Sequence, residues 1–414
     1  MNEQVKQLKS RAEQMIKDLN QETDYLAELN QAKVLQAFRA NKVSDFHFNP
    51  STGYGYDDDG RDTLERVYRD VFHTEAAIVR PQLISGTHAI STALFGVLRP
   101  GDALLYITGN PYDTLEEIVG VRGISGNGSL RDFQIDYDAV PLIENQVDFD
   151  TVSQKITEKT KMIGIQRSKG YAERDSFSIE QIAEMIRFVK EIKPDVVVFV
   201  DNCYGEFVEE LEPTDVGADL IAGSLIKNPG GGLAKIGGYL AGRSDLIELC
   251  GYRLTTPGIG LEAGASLYSL LEMYQGFFLA PHVTAQAVKG ARFTAALLSL
   301  CGIETKPNWD DHRTDLIQSV SFHDQSKMVL FAQAIQKFSP VNAHVIPVGA
   351  YMPGYEHDVI MAAGTFIQGA SLELTADGPI RAPYELYVQG GLTYEHIKIA
   401  VTEAVNDLFE HEKI

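Results

Sequence analysis

The sequence predicts an α/β chain, with a large domain on a mostly parallel sheet and a smaller α+β domain after it. Three observations carry this. Short β-branched runs such as "DVVVFV" at 195–200 alternate with segments of helical periodicity such as "SIEQIAEMIRFVKEI" at 178–192. The short runs are apolar throughout, as strands covered on both faces of a parallel sheet are. After residue 260 the alternation gives way to a long helical stretch, and beyond 305 to shorter strands and helices. The expected division is an N-terminal helix and interface arm over 1–60, the large domain over 61–290, and the small α+β domain over 291–414.

Along the chain, residues 2–40 read as one polar, amphipathic helix, with Val5, Leu8, Ala12, Met15, Ile16 and Leu19 at spacings of three and four. A loop rich in Tyr, Gly and Asp follows. From about residue 63 a helix carries "TLERVYRDVF", with Asp62 or Thr63 as its N-cap. Strands are expected at 76–85, 102–109, 160–168, 195–204, 218–226 and 235–243, and helices at 87–98, 112–120 and 178–192. In the second half, "DLIQSVSFH" and "MVLFAQAIQKF" precede a C-terminal helix from Tyr394. No internal repeat or low-complexity segment interrupts the pattern.

At 414 residues the chain has room for two or three domains and a substantial core. A formal charge of −21 argues against nucleic acid or an acidic membrane as partner, since polyanions favour basic patches. Cys203, Cys250 and Cys301 are widely spaced and form no CxxC pair, so free thiols are expected, with neither disulfides nor a zinc site. The first 20 residues hold no apolar run of signal-peptide length, and no stretch is long enough to span a membrane. A cytoplasmic chain is the expectation.

Four motifs bear on chemistry. No Gly-Lys dipeptide occurs, which excludes a Walker A loop, and "GIGLEA" at 258–263 matches a dinucleotide fingerprint only out of context, because no strand precedes it. "LISGTHAIS" (83–91) is better placed. It runs from a strand through Ser85, Gly86 and Thr87 into a helix, where first-turn N–H groups offer an anion site, although ordinary helix capping has the same pattern. "VVVFVDNCYGEF" ends an apolar run on Asp201, where open α/β sheets bind ligands; an acid there needs a cation or a protonated nitrogen beside it. "GSLIKNPGGG" sets Lys227 between an apolar run and a loop almost without side chains. Burial there would lower the lysine pKa and free the amine as nucleophile or base. An anion cradle, a strand-end acid and a lysine, in that order, are the parts that pyridoxal 5'-phosphate requires.

With "STGYGYDDDGRDTLE", "TGNPYDTLEE", "IQRSKGY", "TTPGIG" and "YVQGGLTYEHIKIA" added, the chain resembles fold-type I pyridoxal-phosphate enzymes of Cys/Met metabolism. Within them it is most similar to the methionine gamma-lyase-like branch, also labelled aluminium resistance protein or cystathionine beta-lyase family. The likeness spans residues 51–400. It implies that Lys227 forms the internal aldimine with the cofactor and shuttles the Cα proton, that Asp201 keeps the pyridine nitrogen protonated, and that Tyr112 stacks on the ring. Ser85, Gly86, Thr87 and Ser224 would hold the phosphate. In the related lyases a Tyr and an Arg of a neighbouring subunit also reach it. The matching loop offers Tyr54, Tyr56 and Arg61, of which Tyr56 is preferred, and the implied assembly is a homodimer or homotetramer with active sites at the subunit interface. This chain departs from the wider group where "IQRSKGY" replaces an Asn-Pro segment before the cofactor-binding Asp, with Arg167 and Ser168 the candidates to serve instead. For the substrate carboxylate the first choice is Arg381, near the "VQGGLT" run, and the second is Arg167.

The implied activity is a carbon–sulfur lyase eliminating a thiol from a sulfur-containing amino acid, with β and γ elimination both open. An aminotransferase or a non-catalytic cofactor-binding regulatory protein is the alternative, and a nicotinamide oxidoreductase is weaker. Among the remaining residues, His88 and Cys203 read as packed side chains and "DDHRTD" (310–315) as a solvated turn without metal-ligand spacing.

Overall fold

The structure, a computed structural model, describes residues 2–352 and 357–414. The N-terminal segment forms two helices, α1 (Glu3–Met15) and α2 (Lys17–Ala40), in place of the single helix expected. They part at Ile16 because they face different cores. Val5, Ala12 and Ile16 pack with the C-terminal residues, whereas Val34 and Ala37 pack with the large sheet. Helix α3 (Asp59–Val71) starts earlier than expected: Asp58 caps it, accepting from the Arg61 N–H at 2.9 Å.

The large domain continues through β1 (Ala76–Arg80), α4 (Gly86–Val97), β2 (Ala103–Tyr106), α5 (Asp113–Val119) and β3 (Asp136–Ala139). Next come α6 (Phe149–Lys155), β4 (Thr160–Gln166), α7 (Ile179–Ile192), β5 (Val197–Asp201), β6 (Leu220–Ser224), β7 (Gly238–Gly242) and α8 (Ser244–Leu254). The sheet order is β1-β7-β6-β5-β4-β2-β3. All neighbours are parallel except β7, which runs antiparallel to both β6 and β1. No crossover helix separates β6 from β7, so the chain simply turns back. Strand β3 and helices α6 and α8 were not read from the sequence; β3, "DYDA", is a half-exposed edge strand with no apolar run to mark it.

Burial of both sheet faces is literal. Val198 and Val200 of β5 enter one core while Val197 and Phe199 enter the other, and all four are at most 1 % exposed. Helix α9 (Leu270–Leu300) then joins the domains: Tyr274 and Phe277 belong to the large core, Phe293 and Leu297 to the small one. The small domain comprises β8 (Glu304–Lys306), β9 (Gln318–Ser321), α10 (Gln325–Lys337), β10 (Val359–Ala362), β11 (Thr375–Pro379), β12 (Glu385–Gln389) and α11 (Tyr394–Glu410). Its antiparallel sheet has the order β10-β11-β12-β9-β8. Among the described residues, no helix is long and apolar enough to cross a membrane.

Candidate active site

The carboxyl ends of β4, β5 and β6 carry Gln166, Asp201 and Ser224, and α4 opens beside them with Ser85, Gly86 and Thr87. These residues, with Tyr112, Ser168 and Lys227, line a cavity of about 290 Å³. Met361, Ala370, Asp377 and Gln389 close it from the small domain. It lies where open α/β sheets bind ligands, beyond the strand ends.

At one end, the Ser85 hydroxyl caps α4 by accepting from the His88 N–H at 3.1 Å. The first helical turn leaves N–H groups without acceptors along the helix, and its residues line the cavity, so an anion finds ready-made donors. Gly86 is required by proximity: a Cβ there would sit 3.1 Å from the Ser224 Cβ and 3.3 Å from the Cys203 Sγ. Cys203 is therefore a wall of the cavity, not merely core.

Asp201 is 6 % exposed, and its Oδ1 accepts from the Cys203 N–H at 3.1 Å. Burial raises its pKa against the pull of Lys227, the Cys203 N–H and Arg174. Such a carboxyl is stable as an anion only with a proton-bearing cation against it, which is the role a pyridinium nitrogen fills. Lys227 Nζ lies 3.9 Å from the centroid of the Tyr204 ring. Burial by itself would lower its pKa, as expected from sequence. The Cys203, Tyr204, Asp201 and Glu206 groups outweigh burial, however, and hold the pKa above the ordinary lysine value. The expectation of a ready-made neutral amine thus gives way to an ammonium held by acids until something displaces its proton.

The glycines after Lys227 answer to close backbone packing. A Cβ on Gly230 would fall 1.6 Å from the Leu225 carbonyl oxygen, and one on Gly231, whose φ is +54°, would fall 2.1 Å from that of Gly276 in α9. Asn228 pins the same loop, donating to the carbonyls of Tyr204 at 3.1 Å and Glu206 at 2.9 Å. The lysine is presented by a loop pressed between its own strand and the helix that joins the domains.

Other expected residues are dispersed. Ser168 lines the cavity and donates to Asp315 at 2.7 Å. Arg167 does not reach the cavity. It is 0 % exposed, and its guanidinium donates to Glu209 at 2.7 Å, Asn202 at 2.8 Å and Glu212 at 3.5 Å, which leaves it scaffolding rather than a substrate carboxylate partner. Arg381 is exposed and lines an adjoining cavity of about 910 Å³ that shares Tyr112, Gln166 and Tyr171 with the first. Tyr56 is exposed and stacked on Tyr54, centroids 5.3 Å apart, outside both cavities, while Arg61 is spent on the Gly55 and Gly264 carbonyls. The 310–315 segment is only half solvated: Arg313 and Asp315 are buried, and Asp315 accepts from Ser168 and Ser176.

Sequence reasoning missed the far wall. Tyr171 donates to Asp377 across the domain boundary, Gln389 donates to the same carboxylate at 3.2 Å, and the Tyr387 ring packs 4.8 Å from that of Tyr171. Burial raises the Asp377 pKa to about 7. Also missed were Lys169 and Arg174, buried cations of the adjoining cavity; Arg174 donates to the carbonyls of Gln166 at 2.9 Å and Ser168 at 2.8 Å. An acid inside "LELTADGPI" is the one signal that could have pointed to Asp377.

Comparison with known proteins gives the family. A family model described as methionine gamma-lyase matches residues 5–409. A Bacillus subtilis (strain 168) protein named only as uncharacterized protein YnbB is 66 % identical, covering 100 % of this chain and 98 % of its own. A Listeria innocua structure, provisionally named a cystathionine beta-lyase involved in aluminum resistance, is 75 % identical with a TM-score of 0.96, covering 98 % of this chain and 99 % of its own. A Clostridium novyi structure named a carbon-sulfur lyase involved in aluminum resistance is 47 % identical with a TM-score of 0.95, covering 99 % and 96 %.

Two predictions follow from the geometry. Gly276→Ala drives a methyl into the Gly230 carbonyl at 2.1 Å and should cost about 1–3 kcal/mol by overpacking. Urea unfolding reads this, and an unmoved midpoint would show that the helix yields freely. For Asp377, the folded pKa of about 7 lies above the ordinary 3.8, so the stability linked to its proton is complete below pH 4 and is lost as pH rises toward 7. The unfolding free energy of Asp377→Asn relative to the parent should therefore improve between pH 4 and 7 and level off above; a flat difference would contradict the buried, neutral acid.

Proposed function

The chain belongs to the methionine gamma-lyase family, and from that premise we propose that it is a pyridoxal-phosphate-dependent carbon–sulfur lyase that releases a thiol from a sulfur-containing amino acid. One observation carries the reading: Lys227, Asp201 and the opening turn of α4 line a single cavity at the strand ends. When bound, the cofactor supplies an electron sink that stabilises negative charge at the substrate Cα.

The residues divide the remaining work. Lys227 would hold the cofactor through Nζ, and its amine is the group placed to move a proton at the substrate Cα. Asp201 keeps a proton on the ring nitrogen, and the raised pKa it has when buried alone supports that pairing. Ser85, Gly86, Thr87 and Ser224 hold the phosphate through first-turn N–H groups and hydroxyls. Tyr112 would offer its ring to the cofactor, and Gly170 makes room for that ring, since a Cβ there would lie 2.9 Å from it. Arg381, with Lys169 and Arg174 in the same adjoining cavity, offers a cationic wall for the α-carboxylate. The exposed Tyr54–Tyr56 stack suits the expected role of Tyr56, reaching the phosphate of a neighbouring subunit in a homodimer or homotetramer. Names given to the Listeria and Clostridium relatives support the same reaction class.

Purified protein should be yellow with pyridoxal phosphate and should release thiol and an oxo acid from a sulfur amino acid without an oxo-acid acceptor; a requirement for an acceptor would favour transamination instead. Lys227→Ala should lose the long-wavelength band of bound cofactor, and a band of unchanged intensity would sink the assignment. Asp201→Ala should retain some cofactor but turn over at least roughly a hundredfold more slowly. Near-parental turnover would remove Asp201 from its role.

A further inference from the structure

A third cavity, of about 620 Å³, opens between α2, α9 and the loop joining β8 to β9, and shares no residue with the cofactor cavity or the one adjoining it. Its floor is buried and its rim exposed. Val208, Val288, Arg292 and Arg313 form the floor, and Asp18, Glu22, Tyr25 and His312 stand at the rim.

The floor holds two guanidinium groups with no carboxylate in direct contact; Asp315 and Asp311 act on Arg313, and Glu22 on Arg292, only at longer range. Arg313 is 2 % exposed; Nη2 donates to the Asn308 carbonyl at 3.2 Å, while Nε and Nη1 have no partner. Arg292 is 7 % exposed; Nη1 donates to the Leu19 carbonyl at 2.6 Å and Thr23 Oγ1 at 2.8 Å, and Nε has no partner. Among the described residues neither arginine forms an ion pair. The nearby acids are engaged elsewhere. Asp315 accepts from Ser168, Ser176 and the Ile317 N–H, Asp311 accepts from the Asn308 N–H, and Glu209 is shared between His312 and Arg167. Burial lowers the Arg313 pKa to about 9, and repulsion from Arg292 adds to it, against the weaker pull of Asp315 and Asp311. An unpaired buried charge costs several kcal/mol, so a pair of them beside an open cavity marks a site completed by a ligand.

We propose that this cavity binds a small oxyanion, a phosphate or a carboxylate, between Arg292 and Arg313. Guanidinium presents planar, paired N–H donors that match an oxyanion, and the valines of the floor keep the contact dry. Asp18 and Glu22 at the rim repel an extended polyanion, which restricts the ligand to a compact one. The site stands independently of the lyase reading.

Protein saturated with pyridoxal phosphate, so that its phosphate cradle is filled, should be titrated calorimetrically with inorganic phosphate and with acetate, against chloride at equal ionic strength. A saturable isotherm of one site per chain is expected for at least one of the two, weakened at least about tenfold in Arg313→Met and in Arg292→Met. In chloride alone Arg313→Met should unfold no earlier than the parent, because it removes an uncompensated charge, whereas the oxyanion should raise the parent's unfolding temperature and leave the variant's unmoved. Should Arg313→Met fail to fold, Arg292→Met decides by the same two readings. Absence of saturable heat, equal affinity in the variants, or dissociation of an oligomer on losing Arg313 (an acid of a second copy being the true partner) would each overturn the proposal.

Discussion

Asp201 ends the central strand with its carboxyl out of water, one N–H bond at 3.1 Å and a lysine within electrostatic reach. Neither charge is at ease there: burial pushes the acid toward neutrality and would push the amine the same way. What keeps both in place is the convergence of β5, β6 and α4, which brings strand ends and a helix start to one point. A ligand with a protonated ring nitrogen, an aldehyde and a phosphate satisfies all three at once, and the rest of the large domain can be read as the frame that holds them at those separations.

That frame is transmitted to the small domain by backbone rather than by side chains. Gly230 and Gly231 let the lysine loop pass within van der Waals distance of Gly276, and the same helix, α9, enters both cores. Any displacement of the small domain along α9 is therefore felt at Lys227. The far wall is joined separately by side chains that cross the domain boundary, Tyr171 to Asp377 and Tyr387 on one side and Ser168 to Asp315 on the other.

The buried charges sort into two kinds. Arg80, with Glu65 at 2.8 Å and the Leu261 and Ala263 carbonyls, and Arg167, with Glu209 and Glu212, are fully compensated and belong to the scaffold. Asp201 and Asp377 of the cofactor cavity, the latter held toward its neutral form, and Arg292 and Arg313 of the third cavity are not matched by an opposite charge in direct contact. Leaving a charge unpaired in a dry interior is expensive, and these four line cavities, where an external partner can complete them.

Strand and helix alternation, the Ser85–Thr87 turn, Asp201 and Lys227 were all legible in the sequence, because each depends on residues adjacent in the chain: a periodic apolar run, a capping motif, an acid or amine at the end of a strand. The break at Ile16 and the true cap Asp58 were not, since they depend on which core each segment faces and on Ser266, more than 200 residues away. The role of Arg167 could not be read either. A guanidinium in a sequence carries no record of whether a carboxylate will claim it, and Glu209 and Glu212 do so only once the loop after β5 folds back. Local chemistry pointed to the lysine and the acid of the cavity; long-range packing decided which cations face it, because charge compensation is a property of neighbours in space.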